Sequence, residues 1–239
     1  MKINIKELLD FFDDKKDSQK GDANALMAIL GEDLNASAYK HFRKDKVDIL
    51  AGSVLPVIKK NKSKKGKRLD RWMLYKKRGI LFQCEIKNWA ATALGGRKLP
   101  ADASKIDIKE TAKYHWESQL STNLSKKPPK KNQKHPNGVS KVLLAMRKPN
   151  QYKNHSVEPL LIYWMPISSD KNGLKPLSAI PVRSLHLPIE TEFSKLHIFS
   201  VSLYLRQLHK RGRGQKFINL EMPHFEHRMR LLSRFQNGR

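Results

Sequence analysis

Residues 69–89 constrain the fold of this chain more than any other stretch. Two apolar runs, Leu69 to Tyr75 and Ile80 to Asn88, flank Lys76-Lys77-Arg78-Gly79. Short aliphatic and aromatic runs around a glycine-ended polar turn predict a β-hairpin. In the second run Leu81, Phe82, Cys84 and Trp89 indicate a strand covered on both faces. A sheet built on such a strand needs a packed layer on each side.

The hairpin carries charge where burial is expected. Asp70 opens the first strand, and Glu85-Ile86-Lys87 closes the second. Side chains two apart on a strand share a face, so Glu85 and Lys87 point the same way. Ile86 points to the opposite face, with its backbone carbonyl near the same point. A charged pair at the end of a buried strand usually needs a reason. If the register sets Asp70 opposite, two carboxylates and a carbonyl make the hard-oxygen set that Mg²⁺ prefers. Lys87 can then orient a water or stabilise charge on a phosphate.

The rest of the chain reads as alternating helices and strands. Ile5, Leu8, Leu9 and Phe12 have helical spacing. Asp22 is a candidate N-cap for a helix running to about Phe42. Leu26, Ile29, Leu30 and Leu34 form its expected core stripe, and Ala25, Ala28, Glu32, Ala36 and Tyr39 form a second face. A strand is expected within Val47 to Ile58, a helix over Ile108 to Leu124, and strands over Lys141 to Met146 and Pro159 to Met165. Leu196 to Leu208 reads as a strand running into a helix, and Pro223 to Phe235 as a closing basic helix. Asp170-Lys171-Asn172-Gly173 reads as a turn. The expected fold is α/β, a central mixed β-sheet flanked by helices. Its expected division is a helical arm (1–21), a core (22–167) and a basic C-terminal extension (168–239) that adds DNA contacts or a dimer surface.

Charge narrows the partner. Lys and Arg number 48 against 22 acids, a formal net charge of +26. Such a field attracts polyanions, and nucleic acid leads among them because phosphate contacts release condensed counterions. The runs expected to hold a phosphate backbone are Lys59, Lys60, Lys62, Lys64, Lys65 and Lys67; Lys126, Lys127, Lys130 and Lys131; and Lys210, Arg211, Arg213 and Lys216. No stretch is long and apolar enough to span a bilayer, and no secretory leader is evident, so no membrane partner and a cytoplasmic location are expected. Cys84 is the single cysteine and reads as a core residue, which removes intramolecular disulfides and cysteine zinc sites. His224 and His227 have metal-pair spacing on a helix but no third clustered ligand. There is no Walker-type loop.

Asp70 with Glu85-Ile86-Lys87 resembles the motif of the PD-(D/E)XK nuclease superfamily, which includes restriction endonucleases and Holliday junction resolvases. The segment Leu30-Gly31-Glu32-Asp33-Leu34-Asn35-Ala36-Ser37-Ala38-Tyr39 resembles that superfamily's preceding helix, with Glu32 in the place of its acid. Leu69 stands where the family name has proline. Gln119 lies in a suitable later helix, but Asn123 replaces the tyrosine some members carry four residues on. The resemblance spans roughly Gly21 to Met165. It implies a restriction-endonuclease-like core in which Asp70, Glu85 and the Ile86 carbonyl bind Mg²⁺, with Mn²⁺ as a substitute, Glu32 completes or orients the metal shell, and Lys87 assists the attacking water.

The activity expected from residues and resemblance together is metal-dependent hydrolysis of DNA phosphodiester bonds, on duplex or branched DNA. The rival is a non-catalytic nucleic-acid-binding protein, for DNA or RNA, that uses the same charge. Cutting both strands quickly needs two active sites, so a homodimer is expected. Membership of a larger defence or recombination complex stays open.

Overall fold

In the computed structural model, residues 71–75 and 80–87 form the hairpin that the sequence predicts. The structure describes residues 1–13, 20–50, 69–87, 99–119, 142–144, 146, 148–169, 174–184, 191–210 and 215–236. The lysine runs at 59–67 and 126–131, Arg211, Arg213, Asn88, Trp89 and the turn at 170–173 lie outside the described residues.

Eight strands are described: β1 (Lys2–Asn4), β2 (Asp48–Ile49), β3 (Arg71–Tyr75), β4 (Ile80–Lys87), β5 (Ser156–Tyr163), β6 (Leu177–Pro181), β7 (Lys195–Ser200) and β8 (Phe217–Asn219). Five α-helices accompany them: α1 (Ile5–Asp13), α2 (Lys20–Phe42), α3 (Lys105–Gln119), α4 (Val201–Lys210) and α5 (Pro223–Gln236). The central sheet has six strands in the order β2-β3-β4-β5-β7-β6. β4, β5 and β7 run parallel, while β2, β3 and β6 pair antiparallel to their neighbours. The chain is therefore α/β with a mixed central sheet flanked by helices.

A short 3-10 turn over Lys76–Arg78 joins β3 to β4. Gly79 follows at φ 61°, a left-handed conformation that costs glycine nothing because it has no Cβ. Its amide closes the turn on the Lys76 carbonyl at 3.1 Å.

Strand alternation sorts the core into two faces. Met73, Tyr75, Phe82, Cys84, Ile86, Leu160, Ile162 and Phe199 pack in one cluster with residues of α1, α2 and α4. Leu161, Tyr163, Leu196 and Ile198 form the other face with Val142 and Leu143, and Trp116 of α3 packs against them. Leu81, Leu74 and Trp72 extend that face in a cluster with Met146. β4 is thus covered on both sides, as its composition predicts.

Several elements differ from the sequence reading. Leu26 and Ile29 of the expected α2 stripe are exposed, at 39% and 42%. The buried part of α2 is its second half, Asp33 to Tyr39, which is enclosed nearly all round. Two layers explain this: Tyr39 packs on Phe82 and Phe199 of the sheet, while the Phe225 amide of α5 donates to Asp33 Oδ2 at 2.7 Å. An amphipathic stripe cannot be read where a helix is covered on opposite sides. Within the expected strand over Lys141 to Met146, the described residues 142–144 form a helical turn and Met146 an isolated bridge.

The segments at the two ends join the body of the fold. β1 pairs antiparallel with β8, and Ile5, Leu9 and Phe12 of α1 lie in the main cluster. Beyond residue 167, β6 and β7 supply two strands of the central sheet.

Candidate active site

The site is set by the β3–β4 register. Arg71 pairs with Cys84 and Trp72 with Gln83. The paired register ends at Arg71, and Asp70 lies one residue before β3. Glu85 and Lys87 lie on the face that also carries Tyr163, while Arg71 and Ile86 lie on the opposite one.

Backbone hydrogen bonds fix the ends of both strands. The Asp70 amide donates to the Cys84 carbonyl at 3.2 Å. Where the ladder ends, the Ile86 amide donates to Asp70 Oδ2 at 2.7 Å. Along a strand the amide and carbonyl of one residue point to the same neighbour, so the Ile86 carbonyl faces the β3 side beyond Asp70. On the β5 side, the Trp164 amide donates to the Lys87 carbonyl at 3.1 Å.

The charged groups are half-hidden. The Glu85 side chain is 5% exposed and the Lys87 side chain 17%, and Lys87 Nζ donates to Glu85 Oε1 at 2.8 Å. β4 leaves the core at this point, so the lysine stem covers apolar surface while its head meets the carboxylate. Tyr163 lies beside Lys87 in the register. Burial, and then the nearby Glu85 charge, push its phenol above the ordinary range. Burial likewise raises the Cys84 thiol well above its usual value, with the Asp70 charge adding to the effect. Cys84 is fully buried and has no nucleophilic character.

Glu32 meets the hairpin through Arg71. Arg71 Nη1 is 3.2 Å from Glu32 Oε2, and Arg71 Nη2 is 3.5 Å from Asp33 Oδ1. The same Nη1 donates to the Asp70 carbonyl at 2.9 Å. Arg71 thus ties α2 to the residue just before β3. Asp33 carries the link on to α5 through the Phe225 amide.

A second buried network braces the other side. Asp13 is fully buried, accepts from Trp164 Nε1 at 2.7 Å and pairs with Arg206 Nη2 at 3.0 Å. Arg206 also donates to the carbonyls of Leu99 and Pro100. The residue whose amide holds Lys87 is therefore itself held by α1 and α4.

Sequence reasoning missed Arg71, Asp33, Asp13, Trp164 and Arg206. Arg71 had a readable signal: on β3 it shares a face with Met73 and Tyr75, the face that packs on the helices. Asp13 and Arg206 are separated by almost the whole chain, and no local spacing could pair them.

No protein-family model, no curated protein and no solved structure matches this chain.

Among the described residues no group of three or more His, Cys, Asp or Glu is placed to hold a metal. Asp70 and Glu85 supply two carboxylates, and the Ile86 carbonyl supplies a third oxygen from the backbone. Oxygen donors of these kinds are the type that a hard divalent cation takes, with water completing its shell. His224 and His227 belong to no such group.

Of the basic residues expected on DNA, two are described. Lys210 Nζ donates to the Ala103 carbonyl at 2.5 Å, and burial lowers its pKa. Lys216 is exposed, with its ammonium 5.6 Å from the Phe217 ring centroid. Gln119 is the last residue of α3. Among the described residues no helix is long and apolar enough to cross a membrane.

Proposed function

We propose that this chain is a metal-dependent endodeoxyribonuclease with a PD-(D/E)XK-like core. The observation that carries the reading is the end of the hairpin, where the Ile86 amide donates to Asp70 Oδ2 at 2.7 Å and Glu85 and Lys87, on one face of β4, form an ion pair. The mixed sheet, with its antiparallel hairpin followed by a parallel crossover from β4 to β5, agrees with that reading. The charge of +26 supplies the attraction to a polyanion.

Asp70, Glu85 and the Ile86 carbonyl would hold Mg²⁺ or Mn²⁺. A divalent cation bound there supplies charge neutralisation on the phosphate and a lowered pKa for water. Asp70 is oriented by the Ile86 amide, so its carboxylate is set before substrate arrives. Lys87 pairs with Glu85 at 2.8 Å. Its ammonium has three protons and suits a role in orienting water or stabilising a crowded phosphate. Arg71 fixes the Asp70 backbone, and Glu32 acts on the site through Arg71.

Incubation with supercoiled plasmid, with and without Mg²⁺, tests the proposal. Nicking or linearisation that needs the metal and disappears in Glu85→Ala and Lys87→Ala, with DNA binding retained, is the expected result. Retained cleavage in both variants, or none in the parent protein under Mg²⁺ or Mn²⁺, removes the reading. The latter outcome leaves a silent nucleic-acid-binding protein.

A further inference from the structure

A cavity of about 640 Å³ lies on the same sheet face as Glu85, walled by the loop before β5 and by Glu192 and Phe193 before β7. Its size falls within the range of small-molecule sites. Gln83, two residues before Glu85 on β4, lines it.

Gln83 is completely buried. Its Nε2 donates to the carbonyls of Val142 and Leu144, so the amide group is held in one orientation. Its Oε1 is buried and takes no hydrogen bond among the described residues. An acceptor buried without a donor keeps its full desolvation cost. A donor lodged against the cavity floor removes that cost. His155 Nδ1, from another residue lining the cavity, is a second buried polar atom without a partner among the described residues.

The walls add two further chemistries. Lys148 Nζ donates to the carbonyls of Lys153 and His155, at 2.8 Å each. Those two bonds shape the loop and leave the third ammonium proton for an anion. Lys153 is an exposed cation on the same loop. Phe193 presents a half-buried aromatic ring.

We propose that this cavity binds a single nucleotide unit. Phe193 stacks on the base, Gln83 Oε1 accepts from a base N–H, and Lys148 and Lys153 meet the phosphate. A flat aromatic group with edge donors and an attached anion matches all three features. Two sources offer that unit, a free mononucleotide and a base turned out of a DNA strand. The site is separate from the Asp70–Glu85 pair and does not depend on cleavage.

The test is calorimetric titration of the full-length protein in EDTA with each of the four deoxynucleoside monophosphates. A parallel arm uses a short duplex carrying one unpaired base against the same duplex fully paired. Saturable mononucleotide binding points to the free source. A preference for the unpaired base without mononucleotide binding points to the DNA-borne source. In either case Phe193→Ala and Lys153→Glu weaken binding about tenfold, from loss of stacking or of charge; Lys153→Glu, at an exposed position, leaves the melting temperature unchanged, while Phe193→Ala lowers it because the ring also packs on the core. N-methylation that removes the base N–H donors of the best ligand weakens it as well. Absence of both preferences, or binding indifferent to both variants, overturns the proposal. Because the titration runs without divalent metal, its failure is distinct from failure of the nuclease reading.

Discussion

The amide of Ile86 donates to Oδ2 of Asp70 across 2.7 Å. The carboxylate just before β3 is thereby fastened to the middle residue of Glu85-Ile86-Lys87. Structure and chemistry at Asp70 are separable for this reason. Asp70→Asn keeps an oxygen for the Ile86 amide but loses the charge. Asp70→Ala leaves a partly buried amide without an acceptor, at a cost of about 1–3 kcal/mol. The expected outcome is a near-native urea midpoint for Asp70→Asn, a lowered one for Asp70→Ala, and no Mg²⁺-dependent cleavage in either. A fully active Asp70→Asn protein would exclude Asp70 from the metal site.

Glu32 and Glu85 are expected to behave differently. The Glu32 side chain is 45% exposed and meets Arg71, whereas Glu85 is nearly buried on the other face. An exposed ion pair contributes roughly 0–1 kcal/mol. Glu32→Gln should therefore keep its stability and cleave plasmid at a reduced rate, while Glu85→Gln should not cleave. Equal loss in the two variants would move Glu32 into direct contact with the metal. Arg71→Met is the structural counterpart. It leaves the nearly buried Asp33 without its cation, and removal of one partner from a buried pair costs on the order of 3–5 kcal/mol.

How much of this was legible follows from the range of each interaction. The hairpin, the double burial of β4 and the shared face of Glu85 and Lys87 are local, and period-2 alternation determines them. α1, the strand-to-helix passage from β7 to α4 and the closing helix α5 also carry periodic signals. β1, β8 and β6 are short, and their pairing depends on segments far away. Lys2 meets Asn219, and Leu177 meets Phe199 across an intervening loop. The core of α2 was misread because Tyr39 needs the sheet and Asp33 needs α5, and neither is adjacent in sequence. Within the site, Asp70 and Glu85 were visible from their strand positions. Arg71 as their link to Glu32 became visible only with the helix in place.

His197 should make stability sensitive to mild acid. Its Nε2 lies 2.7 Å from Glu158 Oε2, which favours the charged imidazole. Burial disfavours it more, so the folded-state pKa lies below the ordinary 6.5. The unfolded chain then binds this proton more readily than the folded one. The resulting stability is present above about pH 6.5 and is lost as pH falls through the lowered folded value. Melting temperatures measured from pH 7.5 down to 5 should fall less steeply for His197→Gln than for the parent. A parallel fall in both would remove His197 from the pH response.

Lys87 and Glu85 give the sharpest test of a cation at the site. Their ion pair is 2.8 Å long, and both side chains are largely withdrawn from water. Lys87→Met keeps most of the apolar stem but leaves the Glu85 charge buried without its ammonium, a loss on the order of 3–5 kcal/mol. A divalent cation on Asp70, Glu85 and the Ile86 carbonyl would replace that missing charge. Ligand binding to the folded state alone raises stability by mass action. Mg²⁺ should therefore raise the melting temperature of Lys87→Met more than that of the parent. Adding Glu85→Gln to Lys87→Met removes the charge that needs compensation, and the extra Mg²⁺ shift should vanish. Equal shifts in all three proteins would mean that the cation binds elsewhere. The metal role of this carboxylate pair would then fail even if DNA is cleaved.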